Sequence, residues 1–160
     1  MITNQLENAC KDGNIDAVKQ LLLLEDPSHR DNYAIQCASH NGHLEIVRLL
    51  LTDTRVDPSD DYNLAIRWAS SYGHVDVVRL LLEDPRVDPS ARNNSAIEYS
   101  SLYGHTDVVR LLLEDSRVDP SARNNQAIRW AKESKHAEIV DILLEHMYRL
   151  DGPEYNKNML

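Results

Sequence analysis

The feature that most constrains this chain is a 22-residue segment that occurs twice. Residues 73–94, GHVDVVRLLLEDPRVDPSARNN, return at 104–125 with only two substitutions. Related segments mark the same register position every 31 residues, at Gly42, Gly73, Gly104 and Lys135. A further copy, GNIDAVKQLLLLED, starts 29 residues before Gly42. A fixed period of this length predicts a solenoid of stacked units, because each unit buries its apolar face only against its neighbours.

Each unit contains two helical patterns separated by the Gly-His pair. A glycine in the left-handed conformation ends a helix, and an acidic residue such as Asp76 suits the positive end of the next one. Pro89 and the Asn-Asn pair that follows it predict an extended loop or tight hairpin between units. The sequence therefore predicts an all-α domain. We place it at 1–150, with units at about 1–30, 31–60, 61–91, 92–122 and 123–150 and a flexible tail at 151–160.

These units resemble the ankyrin repeat. GHVDVVRLLL from Gly73 is similar to the second-helix signature of that family, and AIRWAS from Ala65 stands where the family has Thr-Pro-Leu-His-x-Ala-Ala. Thr-Pro is absent here, and the unit is shorter than the family's usual length of about 33 residues. Such short units are similar to arrays in large DNA viruses and protists.

The resemblance implies an ankyrin-type solenoid of five stacked helix pairs joined by short hairpin-like loops. It also implies a non-catalytic protein-protein interaction module, an adaptor or inhibitor, that binds a protein partner on its concave face. The alternative is a structural scaffold or a consensus-like engineered array without a natural partner, which the near-identity of the two 22-residue segments suggests.

Composition excludes several other classes of protein. The chain has 17 basic and 26 acidic residues, a net charge of −9, which disfavours binding to nucleic acid. No apolar run reaches the roughly 18 residues of a membrane span. Cys10 and Cys37 lack the spacing of a disulfide framework or a metal site, which is typical of a reducing compartment. We expect a monomer in the cytoplasm or nucleus.

Histidine recurs once per unit, which raises the question of a metal site. Packed helices lie roughly 8–10 Å apart, whereas two zinc-ligating nitrogens must lie within about 4 Å of each other. The repeated histidines are therefore expected to form hydrogen bonds near the start of each second helix: His43, His74, His105 and His136. No phosphate-binding loop or nucleophile motif occurs, so the sequence predicts no enzyme activity, no cofactor and no metal.

Two sets of residues are candidates for binding a partner. Helical periodicity directs the first set away from the core of each unit. These side chains either pack between neighbouring first helices or form an interaction surface on the concave face, and the two roles are compatible. This set consists of Trp68, Tyr72, Tyr99, Leu102, Tyr103 and Trp130. The second set lies at the tips of the loops between units and consists of Asp60, Asp61, Arg92, Asn93, Arg123 and Asn124.

A third series recurs at one register position of the first helices: Gln36, Arg67, Glu98 and Arg129. Its charges alternate in sign after the glutamine. We interpret the series as exposed pairs that avoid like-charge contacts between neighbouring units, each contributing about 0–1 kcal/mol.

Overall fold

The computed structural model describes residues 4–151, with side chains described through Arg149. This range contains ten α-helices and no strand. The helices are α1 (Gln5–Asp12), α2 (Ile15–Leu21), α3 (His29–His40), α4 (Leu44–Leu51), α5 (Asp60–Ser71), α6 (Val75–Leu82), α7 (Ala91–Tyr103), α8 (Thr106–Leu112), α9 (Ala122–Glu133) and α10 (Ala137–Asp151). They form five successive pairs stacked in chain order, which confirms the predicted all-α solenoid. The predicted tail lies outside the described residues from residue 152 onward.

The core is continuous from one unit to the next. In the third unit, Ile66, Ala69 and Val78 are fully buried, and residues at the same register positions of the other units are buried with them. Each fully buried large aliphatic side chain contributes about 1.5–3 kcal/mol relative to an exposed one. Asp76 and Arg79 lie on the exposed face of α6, as the helical periodicity predicts.

A glycine and a histidine connect each unit to the next. Gly73 has φ +75°, and the ring of His105 from the following unit lies where a Cβ atom at Gly73 would be. Nε2 of His105 donates a hydrogen bond to the carbonyl oxygen of Ser71 at 3.0 Å. His43, His74 and His136 contact the carbonyl oxygens of Lys11, His40 and Leu102 in the same way. The histidines thus have a structural role, and their partners lie in the preceding unit.

The connections between units contain a left-handed turn that the sequence did not predict. Immediately before the helical backbone of α3, α5, α7 and α9, three consecutive residues adopt φ between 46° and 65°. In α5 these are Asp61, Tyr62 and Asn63. Left-handed backbone costs L-residues about 1–2 kcal/mol each, and asparagine tolerates it best. Each loop therefore contains a strained left-handed turn that the surrounding contacts must hold in place.

A buried asparagine ties this turn to the next unit. Oδ1 of Asn63 accepts the backbone N–H of Asp88 at 2.7 Å, and Asn94 accepts that of Asp119 at the same distance. Asn32 makes the equivalent bond to Asp57 at 2.8 Å. Because the turn presents its asparagine to the following loop, the bond offsets part of the backbone strain.

An arginine in each loop forms a second connection between units. Arg86 pairs with Asp84 at 2.6 Å and also donates to the carbonyl oxygen of Val56 at 2.8 Å. The hydrogen bonds from Arg86 hold the pKa of Asp84 below its ordinary value. Arg117 repeats both contacts one unit later.

The two layers of helices are unequally spaced. Successive first helices (α1, α3, α5, α7 and α9) pack against one another more extensively than successive second helices do. A stack whose layers are closer on one side curves toward that side. We therefore expect the first helices, which carry the aromatic candidates, to line the concave face.

Candidate functional site

The aromatic candidates differ in how far they reach into solvent. Tyr72 and Tyr103 are 53% and 56% exposed, although they are large apolar rings near the end of a first helix. The other members of the set are half-buried: Trp68, Tyr99, Leu102 and Trp130. The structure thus places two exposed tyrosines in front of more deeply packed aromatic rings.

The ring contacts in the second and third units form one group, which we call the first aromatic group. Trp68 lies edge-on to Tyr33, with ring centroids 6.5 Å apart, and edge-on to His40 at 5.1 Å. His40 also lies against Tyr72 at 4.1 Å. Burial lowers the pKa of His40, and His74 and Lys11 add to this effect, which favours the neutral imidazole at pH 7.

A second aromatic group lies in the fourth and fifth units. Tyr99 packs against Trp130 with ring centroids 5.5 Å apart and lies nearly parallel to Tyr103 at 6.4 Å. Trp68 therefore contacts the unit before it, whereas Tyr99 contacts the unit after it. The aromatic side chains fall into two groups instead of one evenly spaced series.

A cleft of about 410 Å³ lies between the two aromatic groups. Tyr72 of the first group and Tyr103 of the second form part of its lining. Ser71 and His105 complete the lining, and the hydrogen bond between them crosses the boundary between two units. The two most exposed aromatic candidates therefore face a common cavity.

Half of the loop candidates are engaged within the protein. The guanidinium carbon of Arg92 lies 3.9 Å from the centroid of the Tyr62 ring, a cation–π contact. Arg123 pairs with Glu98 at 3.2 Å, and Asp60 accepts a hydrogen bond from Asn32 at 2.7 Å. The side chains of the remaining three are exposed: Asp61, Asn93 and Asn124.

The charge series on the first helices is not the exposed arrangement predicted from the sequence. Glu98 is only 1% exposed, and its ion-pair partner is Arg123 in the loop of the next unit. Burial raises the pKa of Glu98, against the opposing effect of Arg123. Gln36 is also buried, and Arg67 donates to the hydroxyl of Ser95 at 2.8 Å. The interpretation as exposed pairs is wrong for Gln36 and Glu98, which are buried, whereas Arg129 is exposed.

Comparison with protein families decides the identity of the repeat. A model of ankyrin repeats in three copies matches residues 6–93, and a model of a single ankyrin repeat matches residues 94–125. The chain belongs to the ankyrin repeat family. No curated protein matches the chain. Ankyrin repeats generally mediate protein-protein interaction, and the family is typically non-enzymatic.

Metal ligands do not cluster in the described part of this ankyrin array. Within residues 4–151, no three His, Cys, Asp or Glu side chains lie close enough together to hold a metal ion. Cys10 and Cys37 are free thiols buried between the first two units. Burial, with smaller effects of Cys37 and Glu7, raises the pKa of Cys10 to about 12, so this thiol is a poor nucleophile.

None of the helices within residues 4–151 is long and apolar enough to span a bilayer.

Sequence reasoning missed two members of the aromatic groups. Tyr33 and His40 extend the first group, but neither belongs to the register position of Trp68 on which the prediction was built. His40 lies 31 residues before Ser71 and thus at an outward position of the ankyrin first helix. The signal is the planar ring of histidine, which, like Trp and Tyr, marks the register position of Ser71 as part of the aromatic series.

Proposed function

We propose that this ankyrin array is a non-catalytic adaptor or inhibitor that binds a folded protein or peptide on its concave face. The observation that carries the proposal is the exposure of Tyr72 and Tyr103 on the concave side, with half-buried Trp68 and Trp130 behind them. Aromatic side chains dominate the energetics of protein interfaces, and a solvent-exposed ring gains about 1 kcal/mol or more when a partner covers it.

Rigidity of the first helices also supports this function. The end of first helix α5 is bonded to the next unit through His105 and its start through Asn63, and Arg86 joins the adjacent loops. A surface built on fixed helices loses little conformational entropy on binding. We also propose that the protein acts inside the cell, which the free, buried thiols of Cys10 and Cys37 support.

The test begins with isolation of a partner from the source cell, followed by calorimetric titration of alanine variants. Tyr72→Ala and Tyr103→Ala should each weaken binding by about 1 kcal/mol or more and leave the melting temperature nearly unchanged. Trp68→Ala and Trp130→Ala should weaken binding and also lower the melting temperature, because both rings pack against neighbouring units. Tyr148 is an exposed tyrosine on α10, so Tyr148→Ala is the matched control.

Normal binding by both tyrosine variants would contradict the proposal. The site would then have to move to the exposed loop side chains Asp61, Asn93 and Asn124. If no partner is captured at all, the scaffold alternative gains support.

A further inference from the structure

The cleft between Tyr72 and Tyr103 occurs at a place where successive units carry different residues. One unit earlier, the equivalent place is filled by the imidazole of His40, which lies against Tyr72 at 4.1 Å and edge-on to Trp68 at 5.1 Å. The residue 31 positions after His40 is Ser71, whose small side chain lines the cleft. At the cleft, a serine thus stands where the preceding unit has a flat ring.

The aromatic surroundings of that missing ring are still present. Tyr99 and Tyr103 stand at the register positions of Trp68 and Tyr72, and their rings are nearly parallel with an interplanar angle of 13°. Tyr72 stands where the preceding unit has Asn41, so the cleft has an additional aromatic side chain in its lining. The site can thus take a flat group from outside the chain, in the way that the preceding unit takes His40.

The electrostatics of the cleft favour a cation. Helix α5 ends at Ser71, so the negative end of its dipole lies at the cleft. Its last carbonyl groups already accept hydrogen bonds, that of Ser71 from His105 and those of Ser70 and Ala69 from backbone amides. None of the four lining residues, Ser71, Tyr72, Tyr103 and His105, is a lysine or arginine. The chain as a whole carries a net charge of −9. A positively charged group would therefore be attracted to this place, where the rings of Tyr72 and Tyr103 are available for a cation–π contact.

We propose that this cleft binds the side chain of an arginine from an exposed segment of the partner protein. The guanidinium group is flat, carries a positive charge and stacks on aromatic rings, which matches the aromatic lining and the charge of the cleft. The lysine ammonium is compact and strongly hydrated, so it fits the place of an imidazole less well. The inference rests on the proposed function, because it assigns a chemistry to one part of the concave face.

The test uses N-acetyl-arginine amide as the probe and N-acetyl-lysine amide as its comparison, each titrated into the full chain. NMR signals of the Tyr72, Tyr103 and His105 rings should shift and saturate with the arginine probe, and the lysine probe should bind at least about fivefold more weakly. Absence of a saturating shift, or equal binding of the two probes, would overturn the proposal. This comparison needs no variant and does not depend on how a substitution folds.

Two substitutions of one residue then locate the site. Ser71→His should place an imidazole in the cleft, as His40 does one unit earlier, and should reduce binding of the arginine probe about tenfold or more. Ser71→Ala, the matched control, leaves the cleft open and should bind the probe as the wild type does. Unchanged binding in a folded Ser71→His variant would show that the probe binds elsewhere.

The outcome can be separated from that of the proposed function. If Tyr103→Ala weakens the partner while the arginine probe shows no preference over lysine, the concave face is the binding surface but the arginine assignment is wrong. If the probe binds in the cleft while neither Tyr72→Ala nor Tyr103→Ala affects the partner, the proposed function is wrong.

Discussion

Replacement of Gly73 by alanine should destabilise the protein through the ring of His105. A Cβ atom at Gly73 would lie 2.5 Å from Nδ1 of His105, and the backbone there has φ +75°. The left-handed backbone costs alanine about 1–2 kcal/mol. If the ring stays, overpacking adds about 1–3 kcal/mol, and if it moves, its hydrogen bond to Ser71 is lost at a cost of about 1 kcal/mol. We therefore expect Gly73→Ala to lower the free energy of unfolding by about 2–5 kcal/mol.

A double-mutant cycle separates the backbone cost from the contact with the ring. In a His105→Ala background the clash and the hydrogen bond are both absent, so Gly73→Ala should cost only the backbone contribution of about 1–2 kcal/mol. The difference between the two backgrounds is the coupling energy, which we expect to be about 1–3 kcal/mol.

The measurement is urea denaturation followed by far-UV circular dichroism, with equal m-values required before free energies are compared. Lys135 provides a control, because it stands at the register position of Gly73 and already has φ 64° with a side chain. Lys135→Ala should change the free energy of unfolding by less than about 0.5 kcal/mol. An equal cost of Gly73→Ala with and without His105 would refute the explanation.

Three further predictions follow from the contacts between units. Asn63→Gly keeps the left-handed turn but loses the hydrogen bond to Asp88, so the free energy of unfolding in urea should fall by about 1–2 kcal/mol. Asn125→Gly is the control and should change it very little, because Oδ1 of Asn125 has no described partner. The pKa of Glu98 is raised, so the wild type should lose stability relative to Glu98→Gln as the pH rises above the ordinary range of glutamate pKa values. Urea denaturation at several pH values measures this, and a difference in free energy between the two proteins that stays constant with pH would contradict it. Amide hydrogen exchange should be slowest in residues 63–114 and faster in α1, since end units have one neighbour; uniform protection would contradict this.

The sequence predicted the stack well because its signals are periodic and local. Burial of Ile66, exposure of Arg79 and the left-handed glycine at Gly73 each follow from helical periodicity or from a residue with one strong conformational preference. The left-handed turn at Asp61, Tyr62 and Asn63 could not be predicted in the same way. Three consecutive non-glycine residues with positive φ are locally unfavourable, and contacts from the neighbouring unit hold them.

The candidate site was predicted only as a set of positions. Helical geometry directed Trp68, Tyr72 and Tyr103 away from the core of their units, but it could not show which rings touch. The contact of Trp68 with Tyr33 joins residues in different units, and the pairing of Glu98 with Arg123 depends on the path of the loop. Such contacts depend on how units are spaced, which a single repeat does not encode.

The distribution of differences between the two 22-residue segments also separates stacking from recognition. Residues 73–94 contain four residues that bond to an adjacent unit: His74, Arg86 and Asn94 through their side chains, and Asp88 through its backbone amide. The same four residue types recur at 104–125. The residues just before each segment, LAIRWASSY at 64–72 and SAIEYSSLY at 95–103, differ at most positions.

These stretches contain the outward residues of the first helices, including Ser71 at the cleft. A stack requires the same bonds at every junction, so those positions are constrained to repeat. Under the proposed function, outward side chains that contact no neighbouring unit meet a partner that need not repeat, so they can change without loosening a junction. A substitution such as Ser71→His therefore alters what the surface can bind while the bonds that hold the units together stay unchanged.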